Sequence, residues 1–535
     1  MRLHPHEHVQ RHISAGWWTD DTIDGLFRAR VAERPGALAV ADPPNKPDLM
    51  EGPVRRLTWA DLDREVDRTA CALLEAGIGR DDVVAVQLPN SVELVVTFLA
   101  AVRIGAILTP FPVQYRQYEL TQLGGLAGVK AYVTDAGRAE TARTLHVPTL
   151  RAVLAWGEEL PAAGGPPERL QAHLETAGAD PNDCVTICWT SGTEATPKGV
   201  PRCHYDWLAV GWTCAEAPGL TADDVVLNPF PMVNMAGIGG VLMPWLRTGF
   251  TLVQHHPFDL PGYLGQIAAE GVTYTLAPPA LLTMLLQRPE MLTGLGTLTR
   301  IGSGSAPLPP SMVRGWQDKH GISIINFFGS NEGIALLSDP VTMPDPEDRA
   351  RFFPRPDAPG TTWPGTLGGT RVKLVDSAGN QATTGELRIS GPTVFAGYLP
   401  GTATADPFDE DGYLITGDVF ELVGDRYLRY VDRTADLIIR GGVNISPAEL
   451  EALLTGHPAV AEVAVVGYPD DVMGERVCAV VVPREPVTLD DLTGFLRQAG
   501  IASYKLPERL ELADALPKNA LGKVLKRDLR EGLGG

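Results

Sequence analysis

Cys184-Val185-Thr186-Ile187-Cys188-Trp189 runs directly into Thr190-Ser191-Gly192-Thr193-Glu194-Ala195-Thr196-Pro197-Lys198-Gly199. The first six residues are apolar, include β-branched side chains and lack helical spacing, which reads as a short buried strand. Hydroxyls, glycines and one lysine placed just after a strand are what a phosphate needs. Glycines let backbone N–H groups approach its oxygens, hydroxyls donate hydrogen bonds, and the lysine adds a positive point charge. The spacing is not the Gly-x-x-x-x-Gly-Lys-Ser/Thr of a Walker A loop. Taken alone, the segment reads equally well as a Ser/Thr/Gly-rich surface turn.

Working outward, 535 residues exceed what a single core of about 250–300 residues usually holds, so two or more cores are expected. An apolar share of 44% with 21% charged residues fits a soluble globular protein. The net charge of −20 argues against a general nucleic-acid or anionic-membrane surface, so any polyanion site must be local. Six cysteines (71, 184, 188, 203, 214, 478) follow no metal or disulfide framework and fit small buried hydrophobes in a reducing, cytoplasmic setting. There is no apolar run long enough to span a membrane and no apolar signal core. His4, His6, His8 and His12 read either as metal ligands or as a flexible polar arm, the second being favoured.

Along the chain, Thr19-Asp20-Asp21-Thr22 caps an amphipathic helix ending near Arg34-Pro35. Thr58-Trp59-Ala60-Asp61 has the form of a capping box, and Gly77 stops its helix. A strand over 83–88 is followed by a mostly apolar helix opened by Pro89-Asn90-Ser91 and closed at Gly105. Strand and helix then alternate to about residue 300, which predicts an α/β core with helices on both faces. Residues 136–183 are weakly patterned and read as surface structure. A second shift falls at Asp432-Arg433. Beyond it, Ser446, Pro447 and Glu449 form a strong helix start. Strands over 460–466 and 477–482 and a helix over 488–498 complete a small unit. The fold class expected is therefore α/β: a large multi-subdomain N-terminal α/β domain (1–432) and a small mobile C-terminal α+β domain (433–535).

Residues 190–199 resemble the phosphate loop of the adenylate-forming enzymes, the acyl-CoA synthetases, nonribosomal adenylation domains and luciferases, with its pattern Thr-Ser-Gly-Thr-Thr-Gly-x-Pro-Lys-Gly. Four more matches follow in the family's order: Phe328-Gly329-Ser330-Asn331-Glu332, Tyr413 to Asp418 with Thr416-Gly417-Asp418, Asp432-Arg433 through Gly441-Gly442, and Pro517 to Lys523. The resemblance implies roles. Thr190, Ser191, Gly192, Thr193 and Lys198 hold phosphate, and Glu332 meets Mg²⁺ beside ATP. Phe328 stacks on adenine within a motif that includes Gly329 and Asn331. The Gly302–Pro307 loop, with Ser305, Ala306 and Pro307, lines the other side of the base. Asp418 and Arg433 contact the ribose, a carboxylate matching a vicinal diol. Lys523 stabilises charge during adenylate formation. The hinge lies at Asp432–Ala435, and Gly441 and Gly442 line the passage for the pantetheine arm of CoA. Plainer readings are a loop acid at Glu332, a core aromatic at Phe328, a surface ion pair for Asp418 and Arg433, and a solvated Lys523. The order of the motifs favours the functional ones.

The acyl pocket is expected near Asn234, Met235, Ala236 and Gly237, all small or neutral, with no Asp to hold an ammonium. This suits a hydrophobic carboxylic acid, aryl, alicyclic or polycyclic. The partners implied are that acid, a nucleotide and CoA, with no nucleic acid and no membrane span; a homodimer stays open. Five departures from the family pattern stand out: Glu194, Ala195, Asn234, Asn331 and Ala435. A carboxylate ~4 Å from a phosphate oxygen costs on the order of 4 kcal/mol at an effective dielectric of about 20, so Glu194 weighs on ATP binding unless it points to solvent or pairs with a lysine. The reading is a two-step acid–CoA ligase acting through an acyl-adenylate. Its rivals are an enzyme that performs only thioesterification on a pre-formed adenylate, a carrier-protein-loading ligase, and a non-catalytic adenylate-binding protein.

Overall fold

The computed structural model describes residues 1–535 apart from 161–166, 191–196, 306, 360–367, 377–378, 434–437, 446, 518–523, 525 and 534–535. The opening stretch is a strand, Cys184–Thr190, whose first five residues are buried. It pairs in parallel with Ile107–Pro110 and antiparallel with Lys198–Cys203. Val83–Val86, Ala131–Asp135 and Ala152–Trp156 complete a six-stranded sheet. An eight-stranded sheet runs from Gly333–Ser338 through Ser323–Ser330, Arg300–Gly304, Tyr274–Leu276, Val225–Asn228, Thr251–Gln254 and Leu38–Ala41 to Arg56–Thr58; it is parallel except at its two edges.

Helices bury the faces of these sheets. All 12 residues of Val92–Arg103 are buried, as its apolar run predicts, and Ser91 caps it. The capping box on Thr58 and Asp61 is formed, with both of its reciprocal bonds. One core joins the two sheets through Val86, Val95, Leu99, Trp207, Trp245 and Leu252. A third sheet, antiparallel, consists of Phe353–Pro354, Tyr427–Arg433, Leu414–Val423, Thr384–Ser390 and Arg371–Val375. Its core of Leu387, Ile389, Leu414 and Phe420 also takes in Val200 and Leu336, so the three sheets meet beside the strand Lys198–Cys203.

The small C-terminal unit has its own core around Ile445, Leu450, Val465, Val481, Leu492 and Leu496. Its long hairpin, Val460–Asp470 with Gly474–Pro483, is flanked by Ile438–Arg440 and Arg509–Leu512. This is the α/β class with a small α+β partner that the sequence predicts. The small unit touches the large one at a buried ionic junction. Lys505 Nζ lies 3.0 Å from both carboxylate oxygens of Glu449 in its own unit and 3.8 Å from Glu119 across the boundary. The Ala502 amide donates to Glu119 Oε1 (2.8 Å).

Two expectations need correction. The histidine-rich start is a helix, His6–Ser14, packed on the large unit rather than a flexible arm. His4 Nε2 lies 2.8 Å from Asp206 Oδ1 in a fully buried pair, and the His12 ring stacks on Trp18, which in turn stacks on Tyr205. A buried carboxylate some 200 positions downstream supplies the partner that local sequence could not reveal. Within 136–183, read as surface structure without a strand, Ala152–Trp156 forms an edge strand of the six-stranded sheet, with Ala155 and Trp156 buried. Its mixture of alanines and exposed neighbours hid the period.

Candidate active site

Antiparallel pairing places Thr190 opposite Lys198, so the two ends of the predicted phosphate loop stand side by side. Ser191, Gly192, Thr193, Glu194 and Ala195 lie outside the described residues, as do Ala306, Ala435 and Lys523. Val524, the next residue after Lys523, packs with Ala464, Val466 and Leu533 on the small unit.

The strands Ser323–Ser330 and Gly333–Ser338 pair as a hairpin with Ser330 opposite Gly333, which leaves Asn331 and Glu332 as its two-residue tip. That tip is held from every side. The Asn331 amide group donates to the Trp189 carbonyl (3.3 Å), while its Oδ1 accepts from the Met235 amide (2.8 Å). Glu332 is 9% exposed. Tyr398 donates its hydroxyl to Glu332 Oε1 (2.9 Å), and the Phe395 amide donates to the Glu332 carbonyl (2.9 Å). Lys198 Nζ sits over the Tyr398 ring, 5.2 Å from its centroid. The structure thus brings Lys198, Asn331, Glu332 and Met235 together at the end of the strand Cys184–Thr190. Asn234 Oδ1 accepts from the Ala236 and Gly237 amides and so caps Met235–Leu242, a wide-turned helix with i→i+5 bonding. Gly237 is needed for packing, because a Cβ there would sit 2.4 Å from the Pro231 carbonyl.

The strand Arg300–Gly304 leads to the second predicted loop. A Cβ on Gly304 would lie 2.5 Å from the Phe327 carbonyl, so this strand and its neighbour close only around glycine. Ser305 follows with φ +69°, a left-handed conformation uncommon for a side-chain-bearing residue, and Pro307 is exposed. Phe328 is half-buried; its ring meets Phe420 edge-on at 4.9 Å and belongs to the core of the third sheet. Gly329, next to it, is exposed beside a register shift. Asp418, two residues before Phe420, is buried and pairs through its backbone with Arg433. The Arg433 side chain is outside the described set.

Gly441 and Gly442 form the two-residue turn between Ile438–Arg440 and Val443–Ile445, with φ of +57° and +82°. Positive φ at both positions is what a tight hairpin turn demands, so the turn itself accounts for this glycine pair. Both residues are exposed.

Sequence reasoning missed Tyr398 and Arg202. Arg202 is wholly buried; its Nε donates to the Asn331 carbonyl (2.8 Å), and its two terminal nitrogens donate to the Thr393 carbonyl (3.1 and 3.2 Å). Its signal was present, since an arginine beside the apolar Val200 and Pro201 and the buried Cys203 needs buried acceptors. Burial pulls its pKa down, against the nearby carboxylates of Asp206 and Glu332. Burial raises the Asp206 carboxyl in turn, but His4, Arg202 and the Cys203 amide outweigh it and hold the group below its ordinary value. His4, Cys203 and Asp206 place ligand-type atoms within 4.8 Å of one another. Both Asp206 oxygens are already engaged, however, one by His4 and one by the Cys203 amide. All six cysteines are free and buried. Among the described residues no helix is long and apolar enough to cross a membrane.

A carboxylate on a hairpin tip near the end of a buried strand, with a separate small α+β unit, suits an adenylate-forming enzyme. Residues 27–399 match the AMP-binding enzyme family and residues 449–523 match the AMP-binding enzyme C-terminal domain, so the chain belongs to that family, with acyl-CoA ligases among its relatives. It is 31% identical over 546 aligned positions to pyochelin synthase PchD of Pseudomonas aeruginosa, covering 99% of this chain and 95% of that one. It is 33% identical over 499 positions to the indoleacetate–CoA ligase of Aromatoleum aromaticum, covering 90% and 94%. Among solved structures, the amide bond synthetase McbA from Marinactinospora thermotolerans superposes with a TM-score of 0.79 at 26% identity, over 95% of this chain and all of that one.

Proposed function

We propose that this adenylate-forming enzyme converts a hydrophobic carboxylic acid to its CoA thioester. One observation carries the reading: Asn331 bridges the strand that enters the phosphate loop (Trp189) and the helix predicted to wall the acyl pocket (Met235), with Glu332 next to it. A carboxylate lying against that helix would reach the α-phosphate of a nucleotide held by the loop. Its oxygen attacks phosphorus, pyrophosphate leaves, and the acyl-adenylate stays where it formed. The thiol then attacks the carbonyl carbon, AMP leaves, and the thiol proton passes to solvent. Mg²⁺ fits Glu332, because one hard carboxylate oxygen is what an ion keeping its waters and phosphate oxygens asks of the protein. When bound, it neutralises phosphate charge. Lys198 supports the reading as a fixed cation at the loop's far end, and Asp418 as a buried diol acceptor. Lys523 is proposed to stabilise the attack, and rotation about Asp432–Ala435 to exchange Lys523 for the Gly441-Gly442 turn between the two steps.

A second reading keeps the adenylate and changes the acceptor. The closely superposing McbA is an amide bond synthetase, which favours including an amine beside CoA and a phosphopantetheinylated carrier protein. The test incubates a panel of aryl and alicyclic acids with ATP and each acceptor, and in parallel supplies the matching acyl-adenylates. CoA thioester in both arms is the expected result. Thioester only from supplied adenylate would assign the enzyme to the second half-reaction alone, with Glu194 as the cause. Product on the amine or carrier alone would replace CoA.

A further inference from the structure

We propose that Arg202 is a positioning residue for the carboxylate of Glu332, acting through the backbone on either side of it. The inference rests on the reading of Glu332 as the Mg²⁺-facing group. Two chain segments decide where Glu332 stands: its own hairpin tip, and the turn at 391–395, whose Phe395 amide donates to the Glu332 carbonyl. Arg202 bonds both, through the carbonyls of Asn331 and Thr393. The two segments are in close contact as well, since a Cβ on Gly333 would lie 3.2 Å from the Thr393 carbonyl.

The guanidinium suits this task because its donors form a rigid planar fork. One edge meets Thr393 with two nitrogens while Nε turns to Asn331, a division a lysine ammonium cannot reproduce. The group is held from behind as well. It lies over the Trp207 ring, 5.2 Å from the centroid, and Asp206, itself paired with His4, supplies negative charge. The order of support therefore runs from His4 through Asp206 and Arg202 to the hairpin tip. Groups that orient a metal-facing carboxylate without touching the ion typically change metal affinity by roughly 10–100-fold when removed.

The experiment titrates ATP, with and without Mg²⁺, into the wild-type chain, Arg202→Lys, Arg202→Met and Glu332→Gln by calorimetry, and records the thermal unfolding of each. In the wild type Mg²⁺ tightens ATP binding, and Glu332→Gln removes that tightening. Arg202→Lys is expected to cut the tightening about tenfold while Mg²⁺-free ATP binding stays within about threefold of wild type. Should Arg202→Met not fold, Arg202→Lys carries the test. Full tightening in Arg202→Lys, or equal weakening with and without Mg²⁺, overturns the positioning role and leaves Glu332 standing. A wild-type chain without tightening, or tightening that survives in Glu332→Gln, overturns the reading of Glu332 and the proposal with it.

Discussion

Two hairpin tips of equal length behave in opposite ways. Asn331-Glu332 is fixed from outside, by Trp189, Met235, Phe395, Tyr398 and Arg202, none of them neighbours in sequence. Gly441-Gly442 owes its turn to backbone freedom at positive φ, and among the described residues the Gly441 amide donates to the Met473 carbonyl (2.7 Å) of the same small unit. The first tip is a fixture of the large unit, whereas the second would keep its shape wherever the small unit carried it. Under the proposed function, a group that meets phosphate charge at one place suits the first kind, and a loop that arrives and leaves suits the second.

The largest effect expected separates the tips by half-reaction. Glu332→Gln should lower ATP–pyrophosphate exchange by at least about 10²-fold, with a smaller loss in thioester formation from supplied acyl-adenylate. Gly442→Val forces a β-branched side chain to positive φ at about 1–2 kcal/mol and should show the reverse pattern, roughly tenfold on the thioester step. Equal losses in both assays for both variants would abolish the contrast. A smaller effect sharpens it: Tyr398→Phe removes one hydrogen bond to Glu332, worth about 1 kcal/mol, so exchange should fall several-fold while the melting temperature stays within a few degrees. An unchanged exchange rate would show that the tip's other contacts suffice.

The smallest effect probes the ground beneath the fixed tip. His204, at the start of the helix that follows Arg202 and Cys203, accepts the Ile23 amide at Nδ1 (3.0 Å), and burial lowers its pKa from 6.5 to about 4. Between those values the unfolded chain binds a proton that the folded chain refuses. Its contribution to stability is therefore complete above pH 6.5 and is lost as pH falls towards 4. In His204→Gln the slope of unfolding free energy against pH in that window should drop by up to one proton; an unaltered slope would mean that the imidazole titrates normally in the fold.

What could be read from the sequence was local. The strand at 184, the Thr58–Asp61 box, the apolar helix after Ser91 and the helix start at Pro447 each depend on residues within one turn of each other, and each is present. The third sheet escaped because its strands carry bulges and half-exposed faces that blur a two-residue period. Glu332 and Lys198 were singled out through motif order, and the structure places both near the end of the strand Cys184–Thr190. The contacts of Arg202, Tyr398 and His4 were not legible, because each finds its partner in an acceptor 66 to 202 positions away. A buried charge states a need for a partner without naming it.

The junction at Lys505 has a consequence for any swing of the small unit. Lys505 holds both oxygens of Glu449, its own neighbour, more closely than it holds Glu119. Across the boundary, Glu119 also receives the Arg116 amide from within the large unit (3.0 Å). Parting the two halves would thus leave the ammonium already neutralised on one side and the carboxylate already solvated by its own helix start on the other. The joint can be undone without exposing a bare ion.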